Sequence, residues 1–376
     1  MSFRYGSGIN KPGFNALGAQ TTVTTYTYEL YTWGRNNAGQ LGLGNLTYYS
    51  SPKQVGALTT WLTVAGGMYH AITTKTDGTL WTWGKNGFGQ LGLGNITYYS
   101  SPKQVGALTA WSKGAGGRNH TIAIKTDGTL WAWGHNAQGQ LGLGNTTNYS
   151  SPKQVGALST WSKVSCGKNT TIAVKTDGTL WSWGDGRVGQ LGLGNTTYYS
   201  SPKQVGALTA WLNVAANYYS ALATKTDGTL WSWGQNVYGQ LGDGTTINKS
   251  SPVQVGALTT WLNIAAGFYH GVAVKTNNTL WTWGQNNNGQ LGDGTTTNTS
   301  SPNQVGALTA WLNVTASYGY TGATKTDGTL WTWGQNNVGQ LGLGNTTSYS
   351  SPKQVGALTT WSAIGVIRIS MIALKY

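Results

Sequence analysis

A stretch that could form a phosphate-binding loop occurs in TLWTWGKNGFGQLGLGN, residues 79–95. Gly87, Gly89 and Gly92 match the G-x-G-x-x-G pattern, which holds a dinucleotide only when it follows a strand and opens a helix. The stretch recurs every fifty residues, but no helical pattern follows it, and the Gly87 position is Asn or Ala in four other copies. The dinucleotide interpretation therefore fails, whereas the glycines at positions 89, 92 and 94 recur in every copy and favour a tight connection between strands.

Carboxylates, the usual general acids and bases, number only nine. Asp243 and Asp293 are repeat-equivalent in adjacent units, and we expect them to lie well apart, whereas glycosidase chemistry needs two carboxylates across one cleft. No Ser-His-Asp or Cys-His set stands out either, so we predict that the protein is not an enzyme. Five of the nine occupy the same hairpin-turn position of the repeat, namely Asp77, Asp127, Asp177, Asp227 and Asp327. The other four are Glu29, Asp185, Asp243 and Asp293.

Histidine and cysteine offer little to a metal ion. His70, His120 and His270 share one repeat position, which other copies fill with Thr, Ser or Tyr, and His135 falls in a loop. A site shared between repeats would need an unbroken pattern. The single cysteine, Cys166, excludes an intrachain disulfide and any zinc site built from several cysteines. We expect no metal and no cofactor.

The formal charge of +14, from 23 basic and nine acidic residues, could indicate nucleic-acid binding. The lysines follow the repeat, however, which predicts rings of charge and not a basic groove. Aspartates two residues further on partly neutralise the larger ring, so specific nucleic-acid binding is disfavoured. The two rings comprise Lys75, Lys125, Lys175, Lys225, Lys275, Lys325 and Lys375, and Lys53, Lys103, Lys153, Lys203 and Lys353.

These residues must be positioned by a fifty-residue repeat. The dipeptide Trp-Gly recurs at fifty-residue intervals from Trp33 to Trp333, giving seven copies without insertion or deletion. Such a period, rich in short apolar runs, is typical of one propeller blade per repeat. We predict strands near residues 52–58, 61–67, 70–76 and 79–84, with Asp77-Gly78 as a two-residue hairpin turn. All 20 tryptophans fall on three repeat positions, which favours packing between blades.

The two ends of the chain predict how the ring closes. The last repeat stops at Tyr376, where its next strand is due, and residues 29–34 fit the missing slot. We therefore predict an all-β, seven-bladed β-propeller with four-stranded blades, closed by pairing of the N-terminal strand into the C-terminal blade. Residues 25–376 form this single domain. Residues 1–24 lie outside the repeat, and we expect a docking arm that binds a partner subunit through Phe3, Arg4, Tyr5, Lys11 and Phe14.

The repeat resembles a known family in the order of its motifs. WG-x-N-x-x-GQLGLG, then P-x-QV, then a small-residue strand such as VSCG (164–167), then DGTLWSWG, resembles the regulator of chromosome condensation repeat. The resemblance covers about residues 27–376 and implies a seven-bladed propeller. Family members include a nucleotide exchange factor for a small GTPase, a plant ultraviolet-B receptor and a secreted β-lactamase inhibitor, so the resemblance implies a binding platform and leaves the partner open.

Three windows vary among the copies: four residues after WG, four before SSP, and four that include residues 67–70. Varied loops on a rigid scaffold usually carry binding specificity, and these are rich in Tyr and Asn, as antibody loops are. They suit a protein or a glycan, or are simply polar loops. The candidate binding residues are Tyr48, Tyr49, Met68, Tyr69, Phe88, Tyr98, Tyr99, Arg118, Asn119, Lys168, Tyr198, Tyr199, Tyr218, Tyr219, Tyr238, Phe268, Tyr269, Tyr318 and Tyr320.

Two functions fit this sequence. Low charge, near-identical Asn- and Thr-rich units and a short arm favour a structural or adhesion protein displayed in a larger assembly, on a virion or a cell surface. The alternative is an intracellular regulatory propeller that binds a GTPase or chromatin, or an inhibitor-type protein binder. No 18-residue apolar run and no secretory signal are visible, so we expect neither membrane insertion nor export by the usual signal.

Overall fold

The computed structural model describes residues 27–376, which form 28 strands in seven four-stranded antiparallel sheets. Each sheet is one blade, and we number the blades by the order of their inner strands along the chain.

The strands are, in blade 1, β3 (Ala65–Gly66), β4 (His70–Thr74), β5 (Leu80–Gly84) and β6 (Tyr99–Gln104); in blade 2, β7 (Trp111–Gly116), β8 (His120–Lys125), β9 (Leu130–Gly134) and β10 (Tyr149–Gln154); in blade 3, β11 (Trp161–Cys166), β12 (Thr170–Lys175), β13 (Leu180–Gly184) and β14 (Tyr199–Gln204); in blade 4, β15 (Trp211–Ala216), β16 (Ser220–Lys225), β17 (Leu230–Gly234) and β18 (Lys249–Gln254); in blade 5, β19 (Trp261–Ala266), β20 (His270–Lys275), β21 (Leu280–Gly284) and β22 (Thr299–Gln304); in blade 6, β23 (Trp311–Ala316), β24 (Tyr320–Lys325), β25 (Leu330–Gly334) and β26 (Tyr349–Gln354); and in blade 7, β27 (Trp361–Val366), β28 (Ser370–Lys375), β1 (Glu29–Gly34) and β2 (Tyr49–Gln54).

Blade 7 joins the two ends of the chain. Its strand order is β2-β1-β28-β27, and β1 runs antiparallel to β28 with Leu30 opposite Leu374. An ion pair between Glu29 and Lys375, 3.0 Å apart, adds to the seam. The predicted closure of a seven-bladed ring is confirmed, and it leaves no blade with an unpaired neighbour along the ring.

Tryptophans hold neighbouring blades together, as predicted. Trp83 is fully buried, and its indole Nε1 donates to the carbonyl oxygen of Gln40, 2.9 Å away in the preceding repeat. Trp61 packs edge-on against Trp83, with ring centroids 6.2 Å apart. The same contacts recur around the ring, and the buried apolar clusters combine residues of adjacent blades, so the core lies between the blades.

The lysines of the larger predicted ring are not an open ring of charge. Lys75 is buried, and its ammonium lies 4.9 Å from the ring centroid of Trp61 and 3.8 Å from that of Trp81. Five equivalent lysines sit between tryptophans in the same way, and Lys375 sits over Tyr31. Burial lowers the pKa of Lys75. These cations are used in cation–π contacts, so the formal charge overstates what the surface offers to a polyanion.

Two local predictions are wrong. The predicted strand over 52–58 corresponds to residues 102–108 in blade 1, but the outer strand there runs from Tyr99 to Gln104. It ends at Gln104 because the N–H of Val105 donates to the carbonyl oxygen of Leu80 and Gly106 has a φ of +59°. The turn at Asp77-Gly78 has a positive φ only at Gly78, +77°, with three residues between Lys75 and Thr79. It is therefore a three-residue hairpin loop that ends in a left-handed glycine, not the two-residue type.

The first blade also departs from its copies. Its inner strand β3 is only two residues long, with an isolated bridge from Trp61 to Lys75, where the prediction placed a strand over 61–67. The predicted docking arm, residues 1–24, and its boundary with the propeller at residue 25 lie outside the described residues.

Candidate functional site

All three variable windows lie at the same end of the blades, which we call the variable face. Each blade puts two loops there, such as 67–69 between β3 and β4 and 85–98 between β5 and β6. The windows touch one another: the guanidinium of Arg187 lies 5.8 Å from the ring centroid of Tyr198. At the other end, the opposite face, lie the hairpin turns after the second strands and the nearly invariant VGALT loops.

A cavity of about 300 Å³, which we call the central cup, lies at the axis of the propeller and opens among the inner loops of the variable face. Its walls are inner strands that carry small side chains, such as Ala65, Gly116 and Ala316. At Gly116 no side chain fits, because a Cβ there would lie 2.5 Å from the backbone nitrogen of Gly67. One residue per blade forms the rim: Met68, Arg118, Lys168, Tyr218, Phe268, Tyr318 and Arg368.

The rim is divided into an aromatic half and a cationic half. On blades 4 to 6, Tyr218 stacks on Phe268 with centroids 4.5 Å apart, and Phe268 meets Tyr318 edge-on at 5.3 Å. Lys168 borders this half, with its ammonium 4.6 Å from the Tyr218 ring and donating to Tyr219 Oη at 2.6 Å. Chained ring contacts of this kind fix side chains that would otherwise be free, so the rim is preorganised.

The cationic half occupies blades 7, 2 and 3. Arg368 donates to Tyr69 Oη and lies over the rings of Tyr69 and Tyr318, at 5.2 and 5.4 Å. Burial and the neighbouring Arg35 lower the pKa of Arg368. Within residues 27–376, which hold every carboxylate side chain of the protein, the ion pairs are Arg187–Asp185, Lys249–Asp243 and Lys375–Glu29. The rim cations Arg118, Lys168 and Arg368 therefore have no carboxylate side chain within 4.0 Å.

Other candidates surround the rim. Met68 is nearly buried in the wall of the cup, and Asn119 is buried with an Oδ1 that accepts no hydrogen bond from the described residues. Phe88 lies against His135, with centroids 4.5 Å apart, and Tyr238 lies against Tyr269 at 5.2 Å. The structure thus brings the first and third variable windows together around the cup.

The outer tyrosines divide into two kinds. Tyr48, Tyr98 and Tyr198 are exposed, but Asn148 occupies the same position on blade 2, so these tyrosines do not form a continuous aromatic surface. The hydroxyls of their neighbours accept a hydrogen bond from a loop asparagine, as in Asn95 Nδ2 to Tyr99 Oη at 3.3 Å. Equivalent bonds occur at Tyr49 and Tyr199 and also at Tyr149 and Tyr349, which the candidate set did not include, so this position is a repeated structural contact.

Tyr320 is wrong as a candidate contact for a ligand. It is fully buried at the histidine position of blade 6, where its hydroxyl donates to the carbonyl oxygen of Ser370 at 2.6 Å. Burial raises the pKa of Tyr320 above its usual range. The repeat position lies between blades, and the varied sequence there reflects packing and not recognition.

Each of the three histidines at that position is paired with a threonine of the next blade. Thr121 donates to the carbonyl of Gln90 at 2.7 Å, so its oxygen accepts the Nε2 proton of His70, 2.8 Å away. His120 and His270 repeat this with Thr171 and Thr321. Where the histidine is absent, the next blade has Ala, Gly or Met in place of threonine. Burial lowers the pKa of all three histidines to about 3, so they stay neutral and structural.

Several other ionisable groups are also engaged in the scaffold. Asp77 accepts from Thr79 N and Thr79 Oγ1, and Asp293 accepts from Asn286. Burial raises the pKa of Cys166 to about 12, so its thiol is not a nucleophile at neutral pH. Within the described part of the chain, no three His, Cys, Asp or Glu side chains cluster as metal ligands would. The same residues contain no helix long and apolar enough to cross a membrane.

Three cations of the variable face were not among the candidates predicted from the sequence: Arg368 on the rim, and Arg35 and Lys85 in the loops beside it. All three lie in windows that vary among the copies, and this variation was the only sequence signal that could have identified them. The distinguishing feature of Arg368 is its backbone, with a φ of +47°, and side-chain identity does not reveal that. Lys85 lies 5.1 Å from the Tyr69 ring, a contact between loops far apart in the repeat.

Family models and solved structures agree on the architecture. The model of the RCC1-like domain matches residues 115–371, and that of the regulator of chromosome condensation (RCC1) repeat matches residues 29–73 and 77–124. No curated protein sequence matches the chain. The crystal structure of human WBSCR16 is 21% identical and has a TM-score of 0.83, over 93% of this chain and 98% of that one.

Two crystal structures of the yeast protein Prp20 are similar to the same degree. Prp20p from Saccharomyces cerevisiae, reported with its binding properties to Gsp1p and histones, is 20% identical over 94% of this chain and 92% of that one, with a TM-score of 0.83. Yeast RCC1 (Prp20) in complex with Kap60 is 18% identical over 98% and 96%, also with a TM-score of 0.83. These likenesses show the fold, and because the RCC1-like domain model covers well over half of the sequence, the chain belongs to the RCC1-like domain family.

Proposed function

We propose that this protein is a non-enzymatic binding module of the regulatory kind, which holds a protein partner on its variable face. One observation carries the proposal: three windows vary among otherwise near-identical repeats, and all three lie at the same end of the blades. Seven identical units would present the same surface seven times, whereas varied loops on a rigid ring give one partner a unique orientation.

The chemistry of the variable face supports a protein partner. Tyr218, Phe268 and Tyr318 are held against one another, and Arg368 is held by tyrosine rings, so little side-chain freedom is lost when a partner binds. Aromatic residues and arginine are the types enriched at the centres of protein interfaces. Solved propellers with this fold are described with protein partners, Gsp1p, histones and Kap60.

Display on a virion or a cell surface, for adhesion or decoration, is the second candidate function. It depends on the arm of residues 1–24 as the anchor, and that arm lies outside the described residues. The regulatory function depends only on the described propeller, and under it the protein works inside the cell. Because its support lies in the described propeller, we prefer it.

Photo-crosslinking of the full-length protein in cells that encode it tests the proposal. A benzoylphenylalanine at Tyr98 probes the variable face, and one at Leu108 is a matched control on the opposite face, since the two residues are 49% and 51% exposed. We expect a discrete protein adduct from position 98 and none from position 108. Equal adducts from both positions would contradict the proposal, and an adduct with a virion or envelope protein would favour display.

A further inference from the structure

The central cup has rim cations that pair with no carboxylate side chain of the protein. Arg118, Lys168 and Arg368 stand on its rim, and Arg35 lies close enough to Arg368 to lower the pKa of its guanidinium. All nine carboxylate side chains of the protein lie within the described residues, and none comes within 4.0 Å of these three rim cations. The rim is thus electrostatically incomplete, which favours an anion supplied from outside.

Arg368 is also held in an unfavourable conformation. Its φ of +47° lies in the left-handed region, which is unfavourable for a residue with a side chain. Its Nε atom is buried without a hydrogen-bond partner among the described residues, although its carbonyl accepts from Ser317 and its Nη1 donates to Tyr69. Backbone strain and buried donors without a partner are both concentrated at functional sites, and Arg368 combines the two at the edge of the cup.

The size and walls of the cup limit what can enter. A volume of about 300 Å³ is at the lower end of the range for ligand sites, enough for a side chain or a short loop tip and too small for a folded element. The walls are rich in Gly and Ala and add little bulk, and the aromatic half of the rim offers apolar contact beside the cations. The arrangement suits a carboxylate carried next to apolar groups.

We infer that the central cup receives an aspartate or glutamate side chain from a protruding segment of the protein partner, with Arg368 as its main ligand and Arg118 and Lys168 flanking it. The inference rests on the proposed function, since it names what the partner presents to the variable face. Tyr218, Phe268 and Tyr318 then cover the apolar residues that adjoin the acidic one.

Binding of a model peptide to the full-length protein tests the inference. The probe is a fluorescent octapeptide with a central Leu-Glu-Glu-Leu, measured by anisotropy at 150 mM salt, and its twin carries glutamine in place of both glutamates. We expect the acidic peptide to bind, the twin to bind at least about 10-fold more weakly, and Arg368→Gln to weaken the acidic peptide by about 10- to 100-fold, as expected for losing a hydrogen bond to a charged group. Equal binding of both peptides, or no binding of the acidic one, overturns the inference.

Two control variants separate the cup from the general positive charge. Arg187→Gln removes a cation of the variable face that is already paired with Asp185, and Lys103→Gln removes an exposed cation of an outer strand. Each should change the affinity by less than about twofold, since exposed charges contribute little. If either weakens binding as much as Arg368→Gln does, the attraction is nonspecific and the inference is wrong.

Two further measurements address misfolding of the Arg368 variant and binding of free anions. If Arg368→Gln loses the native melting transition, Arg118→Gln, at an exposed position, replaces it with the same expected direction. Inorganic phosphate that displaces the peptide at equal concentration would identify a small-anion site and overturn the peptide assignment. Crosslinking at position 98 without peptide binding would refute this inference alone and leave the proposed function standing.

Discussion

The two faces of the propeller come from the same seven repeats and differ in how much sequence freedom they have. On the opposite face, VGALT recurs in six copies and VGALS in one, and Val105 is buried while its N–H bonds to Leu80. On the variable face, the rim position alone holds Met, Arg, Lys, Tyr or Phe. The difference shows that residues in the turns of the opposite face make contacts that hold the scaffold together. The loops of the variable face are held in place by residues other than those that vary.

The anchors of the variable face lie within its own loops. Asn86 is fully buried, and it accepts from Leu91 N and donates to the carbonyl of Asn95, closing the loop from inside. Gln90 accepts from Phe88 N through its side chain. Because these fixed residues hold the backbone, the residues between them are free to change. The four predictions below test this division, from the largest expected effect to the smallest.

Deleting residues 361–376 should abolish both faces at once. The deletion removes β27 and β28, so β1 keeps only β2 as a partner and the ring opens between blades 6 and 1. We expect loss of the cooperative melting transition in calorimetry, an effect as large as the whole stability of a domain, about 5 kcal/mol or more. Glu29→Gln is the control, because it removes only the ion pair with Lys375 and should melt as one unit. An unchanged transition in the deletion variant would refute closure by this seam.

Acid should destabilise the propeller through its buried histidines. Their pKa falls from 6.5 to about 3 on folding, so the unfolded chain takes up protons first and stability is lost as the pH falls from about 6.5 towards 3. Each histidine should cost about 1.4 kcal/mol per pH unit in this range, or about 2 kcal/mol at pH 5. Urea unfolding at pH 7.5 and pH 5 measures the difference.

A paired substitution assigns this acid sensitivity. His270→Thr with Thr321→Ala copies the native pair Thr170 and Ala221 of another interface, and it should remove about a third of the loss that the three buried histidines cause between pH 7.5 and pH 5. His135→Gln, at a half-buried loop position, should remove less. An unchanged acid response in the paired variant would show that other groups govern it.

Gly92 and Gly87 distinguish fixed from free positions within one loop. Gly92 has a φ of +75°, and a Cβ there would lie 2.8 Å from the indole Nε1 of Trp133. Gly92→Ala should therefore destabilise by about 2 kcal/mol or more in urea unfolding. Gly87→Ala should stay within about 0.5 kcal/mol, because the position needs no positive φ and is Ala137 in the next repeat. Equal losses from both variants would contradict the division.

The sequence predicted the ring, its closure and the packing role of tryptophan, because a fifty-residue period repeats each of these signals seven times. It predicted the turn at Asp77-Gly78 wrongly, since two- and three-residue hairpins share the same dipeptide. It located the variable windows but not the grouping of their residues around one cup. Tyr69 and Arg368 meet only through closure of the ring, and the left-handed conformation of Arg368 has no signature in its residue type.

The smallest effect is expected at the repeated aspartate of the opposite face. Asp77 Oδ1 accepts from Thr79 N and Thr79 Oγ1, and that hydroxyl accepts from Trp81 Nε1 at 2.8 Å. Asp77→Ala removes both bonds and should cost about 1 kcal/mol in urea unfolding. Asp77→Asn should cost less than about 0.5 kcal/mol, because Asn277 makes the same contacts to Thr279 in blade 5. If Asp77→Asn costs as much as Asp77→Ala, the aspartate recurs for its charge beside Lys75. If Asp77→Asn costs less, the residue recurs because its side chain holds the backbone of the turn, and a neutral amide does this equally well.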